Sequence, residues 1–297
     1  MAGAAREPLD GVRHGEEVED LRRRLDHVPN RNAGAPRRAP GVGWRHGRPP
    51  PPVRHPRERP PHPRPLHARE ARPPRPVLGL ADGDTILDLA SGSGEMLCTW
   101  ARDHRVGGVG VDLSTVFTDA AVARSVELGV SDRVTFVQGD AATYVEEYDG
   151  GPVDVASCLG ATWVGGGVLG TIDLLARVLR PGGLVLVGEP FWTTVPETEE
   201  AVRGAHARSV DDFATLPALV RSFGDHGWDL VQMVLADPDD WDHYAAAQWL
   251  STRRWLDAHP GHELWQEMRD ELDEAAYRHV TFTRPALGWG VFALLQR

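Results

Sequence analysis

Two carboxylates flank a glycine turn in this chain. Ile86, Leu87 and Leu89 form a short apolar run around Asp88, Ser91-Gly92-Ser93-Gly94 turns the chain, and Glu95 opens an amphipathic stretch. Asp112 ends a second apolar run 24 residues after Asp88. A glycine turn between a strand and a helix lets backbone N–H groups approach a ligand closely, because no Cβ intervenes. An acid at the end of the next strand can accept both hydroxyls of a ribose. The pattern describes a nucleoside cofactor lying across the carboxyl ends of parallel strands.

The spacing separates two cofactor classes. A dinucleotide fingerprint places a third small residue after Gly-x-Gly. Leu97 stands there instead, and its side chain would hold helix and strand apart. That argues against a nicotinamide-dependent reductase. The run Asp88-Leu89-Ala90-Ser91-Gly92-Ser93-Gly94-Glu95 resembles the first motif of the class I S-adenosylmethionine-dependent methyltransferases. Arg133 to Ala141 (RVTFVQGDA) resembles that family's strand ending in an acid at the adenine, and Leu179-Arg180-Pro181-Gly182-Gly183 its entry to the fifth strand. The resemblance spans roughly residues 84 to 192, with the motifs in the family's order.

The resemblance implies S-adenosyl-L-methionine as cofactor and assigns roles by position. The Gly92–Gly94 loop passes under the methionyl part, and Asp88 orients its amino group. Asp112 binds the ribose hydroxyls with Leu113 beside it. Asp140 accepts from the adenine amino group beside Ala141. Ala90 departs from the family's usual glycine, and its methyl is tolerated if the residue keeps a negative φ.

A methyl acceptor should enter over the carboxyl ends of strands four and five. Trp163 and Trp192 are candidate walls there, joined by Trp241. Tryptophan faces hold planar or cationic groups. If the acceptor is an amine or a hydroxyl, a base helps, and Glu189 and then His243 are the candidates. The histidines after residue 76 show no metal-ligand spacing, so no metal is expected.

Positioning these residues requires an α/β, doubly wound, Rossmann-like sheet. Strands are expected at Thr85–Leu89, Val109–Leu113, Val134–Val137, Val153–Cys158, Leu184–Val187, near Leu230–Leu235, and at Gly290–Leu295. Helices are expected at Glu95–Asp103, at about Val116–Leu128 stopped by Gly129, and at about Glu263–Tyr277. A further helix carrying Leu169, Ile172, Leu175, Ala176 and Leu179 on one face should run to Pro181. The resemblance implies seven mostly parallel strands, with a helical insert at about 236–285 before the last strand. That insert is a candidate lid or acceptor region.

Composition sets the remaining bounds. Residues 1–76 hold 17 Arg against 9 acids and 16 of the 24 prolines, while the remainder holds 15 Arg against 34 acids. The first segment reads as a disordered Arg/Pro-rich piece separate from a methyltransferase domain over 77–297. Out-of-frame translation of GC-rich DNA yields the same composition. A neighbouring frame of residues 53–72 can encode a well-formed amphipathic helix entry. On that reading the chain binds cofactor with impaired or no catalysis. The acidic body argues against a nucleic-acid partner. No uncharged apolar run spans a bilayer, and two isolated cysteines offer no disulfide framework. The expectation is a cytoplasmic monomer or homodimer acting on a small molecule.

Overall fold

The computed structural model describes residues 79–297. The expectations for residues 1–76 lie outside this range.

Strand β1 (Thr85–Leu89) is buried along all but its first residue. Such double-faced burial belongs to the centre of a parallel sheet. Helix α1 (Glu95–His104) follows, then β2 (Gly107–Asp112), α2 (Thr115–Glu127), β3 (Val134–Gln138) and α3 (Ala141–Glu146). Ser114 caps α2 and Asp140 caps α3, each side chain accepting a backbone N–H three residues on. Strand β4 (Val153–Leu159), a 3-10 turn (Thr162–Gly165) and α4 (Val168–Ala176) lead into β5 (Leu179–Trp192). After β5 come α5 (Glu199–Gly204), a 3-10 turn (Val210–Asp212), α6 (Leu216–Asp225) and β6 (Trp228–Leu235). The insert holds α7 (Pro238–Ala258), α8 (Trp265–Arg278), a π-helical turn (His279–Thr283) and α9 (Arg284–Ala286). Strand β7 (Leu287–Gln296) ends the sheet.

The sheet order is β3-β2-β1-β4-β5-β7-β6. Strands β1 to β5 pair in parallel, and β7 runs antiparallel to both β5 and β6. The seven-stranded, mostly parallel α/β fold expected from the sequence is the fold observed. Two apolar layers sandwich it. One packs Ile172, Leu175, Leu219 and Phe223 against Val185, Val187 and Phe292. The other packs Met96, Leu97 and Trp100 against Ile86, Leu186 and Ala293.

Several boundaries differ from expectation: β5 runs beyond the expected Leu184–Val187 at both ends, β7 beyond the expected Gly290–Leu295, and the fourth helix stops early. Helix α4 ends at Ala176, and Leu179 pairs with Val153 as the first residue of β5. Pro181-Gly182-Gly183 forms an excursion inside β5: the β4 register passes from Val153↔Leu179 to Val155↔Leu184. Gly182 takes φ 72 there, so the turn once read as a helix stop is a bulge within a strand.

Among the described residues no helix is long and apolar enough to cross a membrane. Also among them, no group of three His, Cys, Asp or Glu side chains is placed to hold a metal ion.

Candidate functional site

The glycine loop is built between β1 and α1. Gly92 and Gly94 take φ 57 and 69, a region costly for residues with a Cβ. Ala90 takes φ 53 as well. The expectation that it keeps a negative φ is overturned. The tight exit from β1 forces a left-handed residue there, and its methyl is retained against that strain.

Asp112 closes the loop from the β2 end. Its Oδ2 accepts from the Gly92 N–H at 2.8 Å and its Oδ1 from the Ser114 N–H at 2.9 Å. A carboxylate offers about four lone-pair sites, so it can take two more donors, as a ribose diol requires. The backbone carbonyl of Asp112 accepts from Gly139 N–H at 2.9 Å, and Gln138 Nε2 donates to the Leu113 carbonyl at 2.9 Å. These two bonds set the end of β3, with Asp140, beside the end of β2. Leu113 stands at the end of β2, 55% exposed despite being apolar. Asp140 accepts from the Thr143 N–H and hydroxyl on Oδ1. Ala141 beside it is buried. An exposed apolar side chain between two acids, next to the glycine loop, is an arrangement that a nucleoside would fit: diol to Asp112, base face to Leu113, base edge to Asp140.

Asp88 is fully buried and accepts from the Ser157 hydroxyl at 2.8 Å, across the β1/β4 pair. Its carboxylate is therefore fixed within the sheet at the root of the loop.

The ends of β4 and β5 hold the second group. Thr162 donates its hydroxyl to Glu189 Oε2 in a short hydrogen bond. Thr171 donates to the Thr162 carbonyl at 2.5 Å, tying the same turn to α4. Trp163, the next residue, is 41% exposed. The Thr162 bond thus ties Glu189 to the turn that carries Trp163. Trp289 lies over both strand ends: a Cβ on Gly188 would come within 2.7 Å of its ring, and one on Gly160 within 3.0 Å. Sequence reading missed Trp289 and the role of Thr162. Glycines at the ends of two adjacent strands were the available signal.

The other candidates separate. Trp192 is 2% exposed, donates its Nε1–H to the Val210 carbonyl at 2.7 Å and packs edge-on to Phe213. It fills the core under the β5–α6 connection, so the expectation that it walls an open pocket is corrected. Trp241 is half-buried against that same cluster. His243 is exposed on α7, one residue from Asp242. Asp242 itself accepts from His279 Nε2 at 2.9 Å and from Arg284 Nε at 3.0 Å. The His279 bond, then Arg284, hold its carboxyl below the usual range. Cys98, in α1, is no nucleophile: burial, then the charge of Glu95, push its thiol up to about 12.

A family model described as "Methyltransferase domain" matches residues 86–183. The chain is 53% identical over 221 residues to the uncharacterized protein YjhP of Escherichia coli (strain K12), covering 74% of this chain and 88% of that one. It is 31% identical over 125 residues to the 27-O-demethylrifamycin SV methyltransferase of Amycolatopsis mediterranei (strain S699), covering 42% and 45% of the two chains. Among solved structures, the SAM-dependent methyltransferase of Geobacter sulfurreducens in complex with S-adenosyl-L-homocysteine superposes with a TM-score of 0.75 at 53% identity. That match covers 80% of this chain and 93% of the other.

Proposed function

The chain belongs to the class I S-adenosylmethionine-dependent methyltransferases, and from that premise we propose that it methylates a nitrogen or oxygen of a small molecule held over the ends of β4 and β5. The cofactor, when bound, supplies a methyl group on a sulfonium that is already activated for displacement.

The chain's own work is positioning. Asp112, Leu113 and Asp140 hold the nucleoside end, and the Gly92–Gly94 loop passes under the methionyl part. Trp163 offers an exposed aromatic face to the acceptor, and Glu189 faces it from β5. Held by Thr162, the Glu189 carboxylate anchors the acceptor's N–H or O–H. It then receives the proton as the methyl is transferred. Such transfer gains mostly from alignment of nucleophile, carbon and leaving sulfur and from exclusion of water. The helical insert, α7 to α9, is placed between β6 and β7 to cover the acceptor as a lid.

The single observation carrying this reading is the Thr162–Glu189 bond, which ties an acid of β5 to the turn after β4 that carries the exposed Trp163, at the strand ends where the fold receives substrates. The Amycolatopsis mediterranei relative is by its name a 27-O-demethylrifamycin SV methyltransferase, which supports a small-molecule acceptor here. The test is methyl transfer from labelled S-adenosylmethionine to a panel of small amines, phenols and alcohols, with Glu189→Gln beside the wild type. The expected result is an active acceptor whose kcat falls about 100-fold in Glu189→Gln, within the usual reach of acid–base groups. S-adenosylhomocysteine binding with no transfer to any member would favour a cofactor-binding chain without catalysis.

A further inference from the structure

The loop that faces the cofactor is held by residues that never reach it. Below the loop lies a floor. The Phe136 ring is wedged so closely that a Cβ on Gly94 would come within 2.5 Å of it, and one on Gly110 within 2.6 Å. Ala121 of α2 closes the same space at 2.8 Å from the Gly94 position. The loop therefore cannot sink toward the sheet. From its first glycine it is tied to Asp112, as described. From its last glycine it runs directly into Glu95, the first residue of α1.

Glu95 is bound in a fork. Arg124 of α2 donates Nε to Oε2 at 2.7 Å and a terminal nitrogen to Oε1 at 2.9 Å. The Thr99 hydroxyl supports Oε1 from one turn on, and Glu127 takes the remaining side of the guanidinium at 2.7 Å. Both members of the fork are partly shielded, with side chains 27% and 37% exposed. A two-bond Arg–carboxylate contact fixes orientation as well as distance, which a single-point pair does not. The negative charge also sits at the start of α1, where the helix dipole favours it.

We propose that Arg124 is a positioning residue for cofactor binding: through Glu95 it holds the Gly92–Gly94 loop down on the Phe136 floor at the height the cofactor requires. The inference rests on the assignment of that loop and Asp112 to the cofactor. Sequence distance hides it, since Glu95 and Arg124 are 29 residues apart. Without the fork, the loop keeps its bond from Gly92 to Asp112 and its backbone bonds, Gly94 N–H to the Ser91 carbonyl and Cys98 N–H to the Gly94 carbonyl, but loses the tie between the start of α1 and α2 that fixes its height.

The test is calorimetric titration of S-adenosylhomocysteine into the full-length chain, with melting temperature measured in parallel. Four variants are compared: Arg124→Met, Arg124→Lys, Arg180→Met and Asp112→Ala. Arg180 pairs with Asp154 at the opposite end of the sheet, at 2.5 Å, with the arginine 48% and the acid 22% exposed, and so reports loss of a bridge as such. Arg124→Met is expected to weaken binding about tenfold, the scale of one well-placed charge-assisted contact. Arg124→Lys should recover part of that loss, and Arg180→Met should bind as the wild type does. Wild-type affinity in folded Arg124→Met, or an equal loss in Arg180→Met, overturns the proposal. If Asp112→Ala also retains full affinity, the assignment of the loop itself fails. If Asp112→Ala loses binding while Arg124→Met does not, only the role of Arg124 fails.

Discussion

Asp112 Oδ2 accepts the backbone N–H of Gly92 at 2.8 Å, joining the end of β2 to the turn after β1. The bond gives one carboxylate two duties. It fixes the loop, and on the proposed reading its remaining lone pairs take the ribose diol. Removing it must therefore cost more than a single ligand contact.

Asp112→Ala is expected to weaken S-adenosylhomocysteine binding on the order of 10- to 100-fold, the range for hydrogen bonds to a charged acceptor. Calorimetry on the folded variant checks this. Asp112→Asn should fall between the two, since its carbonyl can still accept one loop N–H. Equal affinity in all three proteins would sink the assignment.

Ala90 is strained at φ 53. Ala90→Gly removes the clash of Cβ with the backbone, against the extra freedom glycine has in the unfolded chain. The net expectation is stabilisation by about 0.5–1 kcal/mol, read as a higher denaturant midpoint at unchanged slope. A lower midpoint would show that the methyl contributes more by packing than it costs in strain.

Gly188 and Trp289 occupy one space. Gly188→Ala places a methyl 2.7 Å from the Trp289 ring and beside the backbone of Leu159. Overpacking of this kind destabilises by about 1–3 kcal/mol. A smaller side chain in Trp289→Leu should recover part of the loss when combined with it. Absence of any recovery would place the clash at Leu159 and not at the ring.

His206 sets a pH dependence. Burial, reinforced by the Arg278 guanidinium, pushes its imidazole down from 6.5 to about 4. The folded chain then holds it neutral where the unfolded chain protonates it. Stability from this group is complete above about pH 6.5 and is lost as pH falls from there to about 4, by at most about 3 kcal/mol. Glu271, His279 and Arg278 are the charged groups around it. His206→Asn suits the left-handed backbone at φ 61 and should flatten the loss between pH 6.5 and 4. Melting temperatures across that interval test it; an unchanged slope in the variant would remove His206 from the account.

Much of the fold was legible because its signals are local. Strand β1 was read to the residue, since TILDL is a short apolar run bounded by turn residues, and Gly129 stops α2 at φ 66 as its position suggested. The end of α4 was misread for a local reason too. Leu179 continues the helical apolar stripe, yet the partner strand claims it through Val153. A bulge is decided by pairing, which the stripe does not record. Trp192 was misplaced similarly. Its position at a strand end marked it as exposed, but the connection through Val210 and Phe213 folds over it.

What the sequence determined by itself was the order of strands and helices, the glycine turn and the acids at the strand ends. Each depends on residues within a few positions of one another, where backbone sterics and apolar periodicity act directly. What only the tertiary structure decided was the sign of φ at Ala90, the floor made by Phe136, the fork from Arg124 to Glu95 and the ring of Trp289 across two glycines. These arise from close packing between elements far apart in the chain. Which side chain fills a given space there depends on the register of every neighbouring strand and helix at once.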